Sequence, residues 1–174
     1  MAGKSLFYQP VDLGITGAFA TFNQSTLPGL AQLGAIVEDN GKFYRLVKHD
    51  QGSGTVASVA GGLAVWKTRA SFLVTMDATD VENTYQSGAG GYLGVVTHGN
   101  YCFIQIGGTQ TLVSVAASTA NGDCLTCGST GATDGQLVRT AANTAPVNIP
   151  CAVALTAVSS GTSTVRWCLG NLIG

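Results

Sequence analysis

The chain has 174 residues, enough for one domain with an appendage or two small ones, and for a sizeable core without covalent staples. Its net charge is −1, only 10% of residues are charged against 45% hydrophobic, and no basic tract occurs, so nothing provides the field that nucleic acid binding asks for. There is no run of about 20 apolar residues to span a membrane, and Met1–Lys4 followed by Leu-Phe-Tyr-Gln-Pro-Val-Asp is too short and too polar for a secretory leader.

With so few charges and 24 glycines, the surface must be built from Ser, Thr, Asn, Gly and Ala, or be hidden against other subunits. Residues 1–30 are apolar without a period. Gly14 and Gly17 argue against a helix, and Pro10 and Pro28 against a long strand. An extended arm is predicted, too apolar to be a disordered tail, whose Leu6, Phe7, Tyr8, Leu13, Phe19 and Phe22 should bury on the body, a neighbouring subunit or a partner.

Residues 31–70 predict a β-hairpin and further strands. Leu33–Glu38 and Phe43–Val47 flank Asp39-Asn40-Gly41, which carries the Asn-Gly turn signal. In the second strand Tyr44, Leu46 and Lys48 share one face, and Phe43, Arg45 and Val47 the other. Leu63–Trp66 and Ser71–Met76 read as two more strands joined by Lys67–Ala70.

Residues 71–174 predict the barrel or sandwich body. Asp77–Gly91 reads as a polar loop, because the terminal Glu and flanking helices of a calcium-binding loop are missing. Gly94–Gly108 reads as a hairpin about Thr97-His98-Gly99-Asn100. In its second strand Tyr101, Phe103 and Gln105 face one side and Cys102, Ile104 and Ile106 the other, which implies burial on both faces. Further strands are expected at Thr111–Val115, Cys124–Cys127, Gln136–Thr140, Cys151–Leu155 and Thr164–Leu169. Turn signals every 8–12 residues or so between short strands, with no helical stripe, predict an all-β sandwich or barrel with few or no helices.

Candidate chemistry is sparse. Cys124 and Cys127 form a CxxC that a zinc ion could use with His98 and Cys102, but its mate straddles a turn and a strand instead of forming a second tight pair. Five cysteines without a leader suggest reduced, buried thiols; a disulfide, if formed, could join Cys124 to Cys127 or Cys102 to Cys168. No nucleophile motif is present, and His49 and His98 read as loop or turn residues. No cofactor, metal site or catalytic residue is therefore expected. Lys42, Arg45, Lys48, Lys67 and Arg69 cluster in sequence, either as a solvated hairpin face or as a patch for an acidic partner.

The runs Leu63–Lys67, Ser71–Thr75 and Gly94–Gly108 resemble tailed-bacteriophage virion structural proteins. Ala120–Asp123, Gly135–Val138, Ala152–Leu155 and Thr164–Leu169 resemble the small β-barrel of phage head decoration, or cement, proteins. The likeness covers residues 31–174 and lies in turns and strands. It implies a β-tulip-like barrel or sandwich with an arm and an inserted hairpin, in a homotrimer on the capsid exterior that stabilises contacts between major capsid subunits. The protein would be made in the host cytoplasm and then reside in the virion. Tyr101 and Phe103, or else Cys102 and Ile104, would then lie at a subunit interface, and the arm on a neighbour or the shell. The rivals are a phage fibre or receptor-binding head, with Tyr85 and Tyr92 as candidate sugar-binding aromatics, and an unrecognised hydrolase.

Overall fold

A computed structural model describes residues 19–27, 31–82, 88–128, 133–140 and 150–168. Among them the chain is all-β, with ten strands, short 3-10 turns such as Phe19–Thr21 and Arg69–Ser71, and no α-helix. The predicted hairpin forms as β1 (Ile36–Asp39) and β2 (Lys42–His49), with Asp39 opposite Lys42. Asn40 and Gly41 take φ of 52° and 75°, the left-handed pair that a two-residue turn matching strand twist requires.

β3 (Leu63–Thr68), β4 (Leu73–Thr75), β5 (Gly88–Tyr92) and β6 (Tyr101–Val115) complete the first half. β2 pairs with β4, β4 with β3, β3 with β5, β5 with β6, and β6 returns to β2. These pairings close a five-stranded barrel, which removes the exposed sheet edges an open arrangement would leave. β1 stands outside it, on the edge of β2 ahead of the segment that β4 occupies.

β7 (Cys124–Cys127), β8 (Leu137–Arg139), β9 (Ala152–Ala154) and β10 (Gly161–Trp167) form a second ring on the far half of the same long strand. There β6 pairs with β10, β10 with β9, β9 with β7, β7 with β8, and β8 with β6 through Val115 and Leu137. The 15-residue β6 thus serves both rings. Sequence reading splits it in two at Gly107-Gly108. Instead these glycines sit mid-strand, where the first hairpin presses on β6: a Cβ on Gly108 would lie 2.7 Å from the Gly41 carbonyl oxygen.

One hydrophobic core runs through both rings, from Val47, Leu63 and Ile104 to Leu125, Leu137 and Val165. A polar bridge crosses it. The Trp167 indole donates to Gln110 Oε1 (2.7 Å), and Gln110 Nε2 donates to the Tyr92 carbonyl (3.1 Å), which satisfies polar groups that would be costly to bury alone.

Two expectations are corrected. Gly88–Gly91, read as the end of a polar loop, belongs to a fully buried strand. Its glycines answer to packing: a Cβ on Gly91 would lie 2.2 Å from Gln110 Oε1 and 2.6 Å from Trp167 Cζ2. Gly94–Val96 is not a strand; β5 is the partner of β6, and Leu93–Asn100 connects them, with Val95 exposed.

Candidate functional site

β6 is covered on both faces, as its alternation implies. Cys102, Ile104 and Ile106 point into the barrel core, while Phe103, with Tyr44 and Leu46 of β2, forms a separate apolar cluster on the outside. What covers that outer cluster is the chain's own arm. The Phe19 ring stacks on Tyr44 and meets Phe103 edge-on, both at 4.9 Å between centroids, and Phe22 meets Phe103 at 5.4 Å. Gln24 and Tyr101 exchange backbone hydrogen bonds of 3.2 and 2.8 Å, and Asn23 Oδ1 accepts from Asn100 Nδ2 at 2.8 Å.

Phe103 is therefore 1% exposed within a single chain. An intramolecular aromatic cluster already occupies the face on which Phe103 is expected to meet another subunit. Phe19 and Phe22 likewise pack on their own body. Tyr101 is half-buried, with the Lys48 ammonium 5.7 Å from its ring centroid. Leu6, Phe7, Tyr8 and Leu13 lie outside the described residues.

Beside Phe19 a groove of about 530 Å³ opens over the middle of β6. Phe19, Tyr44 and Leu93 form its apolar wall; Lys42, Asp39, Gln105 and Gln110 bring polar groups, and Leu112 stands at its margin, 69% exposed at a φ of 58°. Gln105 is held by its own strand, its Nε2 donating to the carbonyls of Gly107 and Thr109 at 3.0 and 3.1 Å. The groove thus combines an apolar wall with scattered hydrogen-bonding groups.

The five basic residues do not form one patch. Arg45 and Lys48 project from opposite faces of β2, since their spacing is odd. The Arg45 guanidinium lies 5.7 Å from the Trp66 ring centroid, and burial, then the Arg69 charge, lower its pKa. Lys67 is paired with Asp50 (3.0 Å) and Asp80 (2.8 Å), whose hydrogen bonds raise its pKa. Burial works against the Asp50 charge, but the Gly52 N–H and Lys67 outweigh it and hold the carboxyl below its ordinary value.

The acidic loop is likewise turned to its own backbone. Asp77 is buried and accepts from the N–H groups of Gly54 (2.8 Å) and Thr79 (2.9 Å); burial raises its pKa, and these donors with the Thr79 hydroxyl bring it below the ordinary value. Asp80 accepts from the Ser53 N–H at 2.9 Å, and Asp134 from the Ala78 N–H at 2.7 Å. Among the described residues no three His, Cys, Asp or Glu side chains come together as a metal site.

Cysteine expectations are also redirected. Cys124 and Cys127, three apart on a strand, lie on opposite faces, exposed and buried, so they share neither a metal nor a disulfide. Cys127 Sγ instead lies 3.2 Å from Cys151 Sγ. Cys102 belongs to the first barrel, where burial pushes its thiol up to about 12, while the Cys168 N–H binds the Cys151 carbonyl in the second ring; these two are not a pair.

His49 is corrected from a solvated loop residue to a wholly buried one at the end of β2. Tyr92, a candidate sugar-binding aromatic, is buried beside it, and Tyr85 lies outside the described residues. His98 does sit in its turn, its Nδ1 accepting from the Gln51 N–H at 3.2 Å. Sequence reading missed three pairs, His49–Tyr92, Gln110–Trp167 and Cys127–Cys151, separated by 43, 57 and 24 positions, and no local pattern marks them.

No protein-family model matches the chain, and no curated protein matches it. Among solved structures it is similar to the head fiber gp8.5 N base of bacteriophage phi29, at 15% identity and a TM-score of 0.46, over 71% of this chain and 92% of that one. A likeness of that degree carries no argument about what this chain does.

Proposed function

We propose that the chain is a structural protein of a tailed-phage virion. In this reading it binds the capsid exterior as a homotrimer and stabilises contacts between major capsid subunits. The observation that carries it is the arm: Phe19 and Phe22 anchor it to the outer face of the first barrel, with Phe19 in the wall of a groove of mixed polar and apolar lining. Upstream of the anchor the sequence continues with Leu6, Phe7, Tyr8 and Leu13, which in this reading contact a sister subunit or the major capsid protein. A weakly charged surface with exposed Phe43, Val59, Val95 and Leu112 suits shallow contacts, and repeated copies on a shell multiply such contacts through avidity. The sequence resemblance to head decoration proteins points the same way.

Electron microscopy of the particle tests the assignment. Density for the protein as trimers over the head is expected; density confined to the tail tip rejects it. A variant lacking residues 1–18 tests the arm's part, since that cut keeps Phe19 and Phe22 over Phe103. The truncated protein should fold and fail to decorate, and full occupancy by it removes the arm from the mechanism.

A further inference from the structure

The second ring is thinly paired. β8 and β9 are three residues each, β9 meets β7 over two residue pairs, and β8 reaches β6 through one. At this junction Cys127, closing β7, and Cys151, just ahead of β9, bring their Sγ atoms to 3.2 Å, both buried. Both the site and its backbone are held in place. The Cys151 N–H binds the Leu125 carbonyl at 2.8 Å, and its own carbonyl accepts the Cys168 N–H at 2.9 Å. Gly88 leaves room for the sulfur, because a Cβ there would lie 2.7 Å from Cys151 Sγ.

We propose that Cys127 and Cys151 are a disulfide-forming pair, a modification site that staples β7 to the start of β9 when the protein meets a peroxide. A disulfide of about 2.05 Å needs the sulfurs to close by about 1.2 Å, within the torsional freedom of two side chains. The two thiols share one hydrogen bond in which either sulfur can donate; with Cys127 as the donor, the thiolate of Cys151 is the favoured one and is the nucleophile. Its thiolate attacks one oxygen of hydrogen peroxide. The O–O bond breaks, leaving a sulfenic acid on Cys151 and a hydroxide that takes the proton Cys151 has lost. Cys127 sulfur then attacks the sulfenic sulfur; the S–O bond breaks, and the departing hydroxide takes the Cys127 proton. Two thiols are oxidised to one disulfide, and one peroxide is reduced to two waters. The bond would close the chain between positions 127 and 151, where β7 and β9 pair over only two residue pairs.

The test uses the full-length protein, treated with a stoichiometric amount of hydrogen peroxide, alkylated in denaturant and digested without reductant. Mass mapping should return Cys127 and Cys151 in one linked peptide pair, lighter by two hydrogens, with Cys102 and Cys168 alkylated. Tm should rise by about 5–10 °C and fall back on reduction. Alkylated Cys127 and Cys151 after this treatment, or linkage of either to Cys124 or Cys168, overturns the proposal. Because both positions lie in the core, variants are compared with themselves, with and without reductant. Cys124→Ser should keep the reductant-sensitive Tm difference and Cys127→Ala/Cys151→Ala should lose it; a difference that survives in the double variant also overturns it.

Discussion

His49 Nδ1 and the Tyr92 hydroxyl lie 2.7 Å apart inside the first barrel, with both side chains wholly buried and the rings edge to face at 5.3 Å. Among the described residues His49 Nε2 has no hydrogen-bond partner, so the interior has a place for a neutral imidazole and none for a charged one. Burial, with a smaller contribution from His98 set against the opposing pull of Asp50, lowers the His49 pKa to about 4.

Acid should therefore weaken the fold in a defined window. The unfolded chain binds a proton at His49 near pH 6.5 and the folded chain only near 4, so stability is full above about 6.5 and falls as pH drops towards 4. The loss reaches about 3 kcal/mol at most. Urea denaturation at pH 7, 6, 5 and 4.5 measures it. His49→Gln keeps a hydrogen-bonding partner for Tyr92 and should show a flatter profile between pH 6.5 and 4.5; parallel profiles would remove His49 as the cause.

Gly91→Ala should destabilise by about 2 kcal/mol or more, since the new methyl must displace Gln110 or Trp167 and break their hydrogen bond. Gly99, with φ +81° and nothing within 4 Å, provides the contrast: Gly99→Ala should cost only about 1 kcal/mol, from backbone conformation. Chemical denaturation of the two variants should rank them in this order, and equal losses would contradict the packing account.

Removing the aromatic cover should uncouple the arm from the body. Phe19→Ala/Phe22→Ala should lower stability by about 2–4 kcal/mol, expose Phe103 and admit an apolar dye, and hasten proteolysis within residues 19–27. Unchanged dye binding and cleavage would show that these rings do not hold the arm down.

Local chemistry made much of the fold legible. Asn40-Gly41 demanded a tight reversal, and the alternation from Tyr101 to Ile106 demanded cover on two faces. The same alternation was silent on what the cover is. A neighbour's surface and the chain's own Phe19 and Phe22 bury Phe103 equally well, and only the position of the arm separates them. Gly88–Gly91 was misread for a related reason: glycine marks a loop by its backbone freedom, whereas here it marks a strand against which Cys151, Gln110 and Trp167 crowd.

By itself the sequence determined the all-β class, the first hairpin and the two-sided burial of β6, because turn chemistry and period-two patterning are properties of neighbours in the chain. Only the tertiary structure decided that β6 is shared by two closed rings, that His49 faces Tyr92, and that Cys127 meets Cys151 rather than Cys124. Those are contacts between distant segments. They depend on how strands pair and rings close, which no local spacing encodes.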